Sequence, residues 1–208
     1  VLAASGMALS SAAATGNSAS FMVGRLAYTF DFAGPCVSTD TACSSSLVAL
    51  HLATNALAAY EAVDALAGGV NLMLSATTTA AICQLQALSP VGRCKTFDAS
   101  ADGYGRGEGF CVAVLGLPDA DKRQVPIAML RGSAVNQDGR SSSLTAPNGP
   151  AQARLIANAL QRGALHPAAI GLVAVHGTGT PLGDPIEVGA LRDALGSSAG
   201  RPPLALAS

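Results

Sequence analysis

Hydrophobic and polar positions along the chain fall into short runs whose period changes from one run to the next. Residues 1–26 are rich in Ala and Ser and are broken at Gly6 and Gly16. Within them, the spacing of Phe21, Met22 and Val23 to Leu26 and Ala27 suits a helix packed on a core, ended by Gly34-Pro35. Cys36-Val37-Ser38-Thr39-Asp40 is short and carries β-branched residues, which predicts a buried strand. From Cys43 the pattern turns helical and stays so to about Tyr60. Leu47, Val48, Leu50, Leu52, Ala53, Ala56 and Leu57 cover most of that helix's circumference, so it is expected to be central and buried.

Further on, residues 65–75, with Gly68-Gly69-Val70-Asn71-Leu72-Met73-Leu74, read as a turn and a core strand, and 110–117 and 127–135 as two more apolar strands. Residues 151–162 form an amphipathic helical pattern with Ala153, Leu155, Ile156, Ala159 and Leu160 on its apolar side. Residues 170–175 read as a buried strand leading straight into His176, and Pro202-Pro203-Leu204-Ala205-Leu206 is strand-like. Alternating strands and helices imply α/β layers. With no fixed-period repeat, charge block or Pro-rich linker to mark a boundary, one domain is expected.

Composition narrows the class. The 208 residues are 50% hydrophobic and 12% charged, with a mean hydropathy of +0.39, which supports a core and excludes disorder. A chain of this size hides roughly 70% of its unfolded surface when its fold is complete. It opens at Val1 and closes at Ser208 just after a strand-like run, so both ends read as cut and a fragment is expected. Net charge is −1, from 12 Lys+Arg against 13 Asp+Glu without a basic block, which leaves no footprint for nucleic acid or an anionic membrane. Apolar runs are short and interrupted, well below the ~18 residues of a membrane span. The cysteines, Cys36, Cys43, Cys83, Cys94 and Cys111, are odd in number and too sparse for a disulfide scaffold, which favours a reducing interior. None forms a CxxC pair or has a His at ligand spacing, so no metal site is expected.

Two constellations carry chemistry. Cys43 falls between a predicted strand and a predicted helix, where free N–H groups and the helix dipole favour an anion and therefore a nucleophilic thiolate. Ser44, Ser45 and Ser46 keep that first turn small enough for a substrate to approach. Cys is also a common small core residue, so its position alone does not decide the matter. The second is His176-Gly177-Thr178-Gly179-Thr180-Pro181-Leu182-Gly183-Asp184-Pro185-Ile186-Glu187, a Gly/Pro-rich loop after a strand in which His176 is the candidate polar catalyst. His51 reads as a packing residue and His166, before Pro167, as a surface one. A third run, Asp102-Gly103-Tyr104-Gly105-Arg106-Gly107-Glu108-Gly109, lacks the last glycine of GxGxxG and any GK[ST], and leads into a strand. It reads as a turn in which Arg106 and Glu108 either pair or border a substrate channel.

Asp40-Thr41-Ala42-Cys43-Ser44-Ser45-Ser46-Leu47-Val48-Ala49-Leu50-His51 and the His176 to Glu187 run together closely resemble the two best-known motifs of β-ketoacyl synthase domains. Gly68-Gly69-Val70-Asn71, Leu88-Ser89-Pro90, Gly92-Arg93-Cys94-Lys95-Thr96-Phe97-Asp98, the 102–109 turn and Gly132-Ser133-Ala134-Val135-Asn136-Gln137-Asp138-Gly139 resemble the family too, in its order. The DTACSSS form is most similar to type I polyketide synthases and next to type I fatty acid synthases. The resemblance implies a thiolase-like α/β fold of five layers (αβαβα), with 1–208 holding the later part of its first half and the start of its second. Half-sheets left with apolar faces and edges are expected to aggregate when isolated.

By resemblance, Cys43 accepts an acyl chain and a malonyl-type extender loses carbon dioxide to attack it, giving a β-ketoacyl thioester. The resemblance implies that both substrates ride on the phosphopantetheine arm of an acyl carrier protein, that the domain itself binds no cofactor and that it pairs as a homodimer; the compartment stays open, with a place inside the cell, in cytoplasm or plastid, expected. His176 Nε2 and the Cys43 backbone N–H are implied to stabilise the developing negative charge. Thr178 and Thr180 match threonines that bind the pantetheine arm, and Glu187 and Asp184 are assigned to structural support of the site. The family's lysine partner of Glu187, its second active-site histidine and its Gly/Phe loop fall past Ser208. Ala174 stands where the family usually has an acidic residue, and the 117–126 connection is short. Two other classes compete: a Cys-His acyl hydrolase that releases the acyl group to water, and a non-elongating ketosynthase-like scaffold.

Overall fold

The computed structural model describes residues 11–118, 125–196 and 203–208. The start of the 1–26 segment with Gly6, the middle of the 117–126 connection, and Pro202 lie outside the described residues. The chain divides into two compact units, residues 1–70 with 110–124, and residues 71–109 with 125–208.

In the first unit, α1 (Ser11–Asn17) and α2 (Ala19–Phe30) occupy the segment expected to be helical. Helix α2 ends ahead of Gly34-Pro35, on Asp31 in the left-handed region (φ 56°), where the N–H of Phe32 reaches back to the Ala27 carbonyl at 2.9 Å. Residues 36–40 form no strand and are largely exposed, with Val37 at 62%. An extended apolar segment becomes a strand only where a neighbouring edge meets its N–H and C=O groups. Helix α3 (Ser45–Ala58) follows a 3₁₀ turn, Ala42–Ser44. Its length matches the sequence pattern, but its burial does not: Leu57 is its one buried residue and Leu47 is 68% exposed. An all-round apolar helix needs covering layers on every side, and within the described residues those layers are absent. Strands β1 (Asp64–Asn71) and β2 (Gly109–Gly116) pair in a two-stranded sheet, with Ala67 buried.

The second unit contains α4 (Ala76–Gln84), α5 (Gly149–Arg162), a 3₁₀ turn at Pro167–Ala169, β3 (Leu172–Ala174), α6 (Gly183–Leu195) and β4 (Ala205–Ala207). Helix α5 starts at Gly149, two residues ahead of the 151–162 pattern. Asn148 accepts the Ala151 N–H at 3.1 Å, and Pro150 sits in the first turn, where a missing N–H costs nothing. Its apolar side packs on α6, burying Ala151, Ala190, Leu191 and Leu195. Strands β3 and β4 pair in parallel, Leu172 with Ala205, Val173 with Leu206 and Ala174 with Ala207, and α6 makes the crossover between them. Residues 127–135 form no strand, and Ile127 is fully exposed. Helices α4 and α6 arise where the hydrophobic pattern gave no helix. No helix among the described residues is long and apolar enough to cross a membrane.

Candidate functional site

Cys43 lies in the first unit, on the 3₁₀ turn that runs into α3, and its side chain is exposed. The helix N-cap is Ser44 and the helix begins at Ser45, so the cysteine sits two residues ahead of the helix. A mesh of short polar side chains shapes this bend. Asp40 Oδ1 accepts the Ala42 N–H at 2.9 Å, Ser45 Oγ accepts the Thr41 N–H at 2.9 Å, and Ser45 Oγ donates to the Ala42 carbonyl at 2.7 Å. Ser44 Oγ reaches the Thr41 carbonyl and hydroxyl, both at 2.9 Å. The serines therefore do more than stay small: they close the turn. Ala42 is held at φ 57°, a left-handed conformation that an L-residue with a Cβ adopts only when its surroundings impose it. Below the turn, Ser46 rests on the backbone of Gly69, where a Cβ would lie 2.7 Å from Ser46 Cβ. Gly69 of β1 thus lets the start of α3 come close, while Gly68 lies against Cys111 and Val112 of β2.

The second group forms at the carboxyl end of β3, the edge of an α/β sheet at which ligands usually bind. His176 follows the strand and is exposed. Glu187, on the first turns of α6, accepts the N–H of His176 on Oε1 at 2.7 Å and the N–H of Gly177 on Oε2 at 2.9 Å. Asp184, 5% exposed, takes the N–H groups of Gly179 at 3.1 Å and Thr180 at 3.4 Å on Oδ1, and that of Phe97 at 2.8 Å on Oδ2. A buried carboxylate met by three N–H donors at a helix N-terminus is well placed electrostatically. Thr178 and Thr180 hydroxyls lie 3.2 Å apart, and Thr180 Oγ1 also accepts the Gly183 N–H at 3.1 Å. The structure thus brings together His176, Thr178, Thr180, Asp184 and Glu187. The run read as one loop is half helix, since residues from Gly183 onward belong to α6.

Sequence reasoning missed the segment that backs this loop. Thr96 Oγ1 donates to the Gly177 carbonyl, and Gly103 N–H donates to the Gly179 carbonyl at 3.0 Å. Gly177 and Gly179 have φ of 49° and 72°, and a Cβ on either would lie 2.6 Å from Thr96 Cγ2 or Lys95 N. Lys95 Nζ meets Asp102 Oδ2 and also donates to the Ser100 carbonyl at 3.3 Å. The Lys95 hydrogen bond, followed by a weaker influence of the Ser89 hydroxyl, holds the Asp102 carboxyl below the usual carboxylate range. Asp102 Oδ1 is itself buried without a partner in hydrogen-bonding geometry. The available signal was the Gly92 to Asp98 run, family-like in sequence but without periodicity to reveal what it touches.

Residues 102–108 form no turn: the run is irregular except at Tyr104, which bridges Leu88 in parallel, and Gly109 already opens β2. Arg106 and Glu108 are taken by separate partners instead of by one another. Arg106 donates to Thr79 Oγ1, while Glu108 Oε1 accepts the Met73 N–H. His51 is half-buried on α3 against Asn55 at 3.1 Å, and exposed His166 caps the 3₁₀ turn at Pro167–Ala169 by accepting the Ala168 N–H.

Residues 2–120 match the family described as Beta-ketoacyl synthase, N-terminal domain, and residues 127–208 match Beta-ketoacyl synthase, C-terminal domain. The chain is 55% identical over 197 residues to a phenolphthiocerol/phthiocerol polyketide synthase of Mycobacterium tuberculosis (strain ATCC 25618 / H37Rv), covering 93% of this chain and 9% of that one. It is 53% identical over 178 residues to polyketide synthase GfsA of Streptomyces halstedii, covering 85% and 2%. Among solved structures, the ketosynthase from module 6 of the bacillaene synthase of Bacillus subtilis 168 superposes with a TM-score of 0.83 at 42% identity, over 86% of this chain and 32% of that one. The oxazolomycin ketosynthase domain OzmH KS7 of Streptomyces albus JA3453 gives 0.82 at 40%, over 86% and 32%. The chain spans about a third of the length of these ketosynthases. Backbone likeness at this identity, with both family matches falling in order along the chain, means that it belongs to the beta-ketoacyl synthase family and has the thiolase-like fold of polyketide synthase ketosynthases.

Proposed function

We propose that residues 1–208 are part of the ketosynthase domain of a polyketide synthase, the later portion of its N-terminal half and the start of its C-terminal half. The domain catalyses a decarboxylative Claisen condensation. The Cys43 thiolate attacks the thioester carbonyl of an acyl chain and expels the thiol of the acyl carrier protein's phosphopantetheine arm. A malonyl-type extender on a second carrier arm then loses carbon dioxide, and the electron pair of the broken C–C bond becomes an enolate. Its carbon attacks the acyl-Cys43 carbonyl; the C–S bond breaks, thiolate returns to Cys43, and a β-ketoacyl thioester leaves on the carrier.

Negative charge gathers on oxygen in each of these steps, so fixed donors are the main requirement. His176 Nε2 serves the enolate and the Cys43 backbone N–H serves the tetrahedral oxyanion. Thr178 and Thr180 bind the pantetheine arm, and Asp184 and Glu187 support the loop. The observation that carries this reading is the double acceptance of the His176 and Gly177 N–H groups by Glu187, which orients an exposed imidazole without occupying its ring. Partners are then acyl carrier protein, acyl and malonyl thioesters and a second copy of the domain, with no cofactor held by the domain. Five free cysteines suit a reducing compartment inside the cell. The 208-residue piece on its own is inactive.

The test uses the intact synthase. Cys43→Ala should abolish both acyl loading at this position and chain elongation, whereas His176→Ala should leave loading and remove condensation. Elongated product from the Cys43→Ala enzyme at the parent rate overturns the assignment.

A further inference from the structure

The loop after β3 is fixed on both of its polar sides. Glu187 holds the N–H groups of His176 and Gly177, while Thr96 Oγ1 holds the Gly177 carbonyl from a segment 81 residues away. Gly177 has no side chain and a φ of 49°, so nothing intrinsic to it keeps its peptide planes in one orientation. Glu187 sets the peptide before Gly177 and the grip on that carbonyl sets the peptide after it, so the two together fix the rotation at Gly177 by which His176 is angled to the rest of the loop. Thr96 is itself immobilised on either side. The preceding residue, Lys95, is tied to Asp102 and to the Ser100 carbonyl, and the following one, Phe97, sits at φ 60° with its N–H on Asp184. A left-handed conformation at a bulky aromatic persists only where its surroundings impose it.

We infer that Thr96, clamped by the Lys95–Asp102 ion pair and by Phe97 on Asp184, is a positioning residue that aims His176 for the condensation step. This rests on the reading of His176 as the donor to the enolate. Thr96 touches no substrate; it acts through the Gly177 peptide, so the half-reaction that needs His176 is the one it controls.

In the intact synthase, the informative quantity is the rate of condensation divided by the rate of Cys43 acylation, measured in single turnover. Thr96→Val, which keeps the shape and removes the hydroxyl, should lower this ratio about tenfold, as expected for a misaimed catalytic group. Thr96→Ser, which keeps the hydroxyl, should restore it to within about twofold of the parent. Lys95→Met loosens the clamp without altering the hydroxyl and should lower the ratio by a smaller factor, which keeps the test open if Thr96→Val does not fold. A Thr96→Val ratio equal to the parent's overturns the inference. So does an equal fall of both half-reactions in Thr96→Val and Thr96→Ser, which marks a purely structural role. His176→Ala run alongside separates the two levels. If it condenses at the parent rate, the functional reading fails; if it does not while Thr96→Val does, only the positioning role fails.

Discussion

Glu187 accepts the backbone N–H of His176 at 2.7 Å with one carboxylate oxygen and that of Gly177 at 2.9 Å with the other. Both acceptors are needed, because the two donors point at separate oxygens. Glu187→Gln keeps one acceptor and turns an NH₂ group toward the remaining N–H. A hydrogen bond to a charged group contributes about 1.5–3 kcal/mol, so condensation by the intact synthase should fall by at least about tenfold. Single-turnover measurement of β-ketoacyl product checks this, and an unchanged rate removes Glu187 from the site.

At Cys43 the prediction concerns selectivity. All five cysteines are free and exposed, so an alkylating reagent that reads exposure alone has no reason to single one out. An acyl thioester reads more than exposure, since its carbonyl oxygen must meet a donor as the tetrahedral adduct forms. Incubation of the intact synthase with an acyl thioester, followed by peptide mass analysis, should therefore place the acyl group on the peptide holding Cys43 and not on those holding Cys36, Cys83, Cys94 or Cys111. Label spread evenly over the five is the contrary result.

Glycines near the site divide into two kinds. Gly177 and Gly179 have positive φ, and a Cβ on either would approach another atom to 2.6 Å. Gly177→Ala and Gly179→Ala should each cost roughly 1–2 kcal/mol from backbone conformation alone, with the overlap adding to it. Gly189 lies inside α6 with nothing within 4 Å of the added Cβ. Gly189→Ala should therefore raise stability by about 0.4–1 kcal/mol, through a less flexible unfolded chain and a better helix former. Denaturant midpoints of the three variants in the intact ketosynthase check the signs.

The contrast between what sequence reading located and what it missed follows one physical line. Cys43 and His176 stood out as candidates because each sits in a run whose residue types are tied to one local job. The existence of α3 and α5 was legible from periodicity, while the start of α5 at Gly149, two residues ahead of the apolar pattern, is set by Asn148 and Pro150. Helix α6 was hidden because Gly183 and Pro185 read as breakers, although proline in a first helical turn removes an N–H that has no helical partner anyway. The strands expected at 36–40 and 127–135 failed for another reason: an apolar run specifies side chains, while a strand also needs an edge to pair with. Thr96 was invisible because a bond from a hydroxyl to a carbonyl 81 residues away leaves no periodic trace.

Exposed apolar surface gives a prediction for the isolated chain. Tyr28, Val114, Ile127 and Leu144 are each more than 70% exposed. Exposed apolar side chains of that kind, when they gather into patches, drive association. Residues 1–208 expressed alone should bind a hydrophobic dye, elute as aggregate and melt without a sharp transition. A dye-silent monomer with a cooperative melt is the opposite result, and it would show that the unpaired faces find partners within the chain.

The Lys95–Asp102 pair makes the clamp sensitive to acid in a defined direction. Hydrogen bonding from Lys95, with Ser89 second, lowers the Asp102 carboxyl below its value in an unfolded chain. A carboxylate lowered on folding adds stability that is complete above its unfolded value, about 3.9, and is lost as pH falls through the lower folded value. From pH 8 to pH 5 the clamp should therefore hold without change, and only in stronger acid should it release. Asp102→Asn removes the charge at every pH. Amide exchange over residues 95–103 of the intact protein should be faster in Asp102→Asn than in the parent at pH 7, and the difference, after correction for the intrinsic exchange rate, should shrink below about pH 4. If parent and variant exchange alike at pH 7, the pair does not brace this segment, and the loop that it backs must be held by Glu187, Asp184 and the Thr96 and Gly103 hydrogen bonds without it.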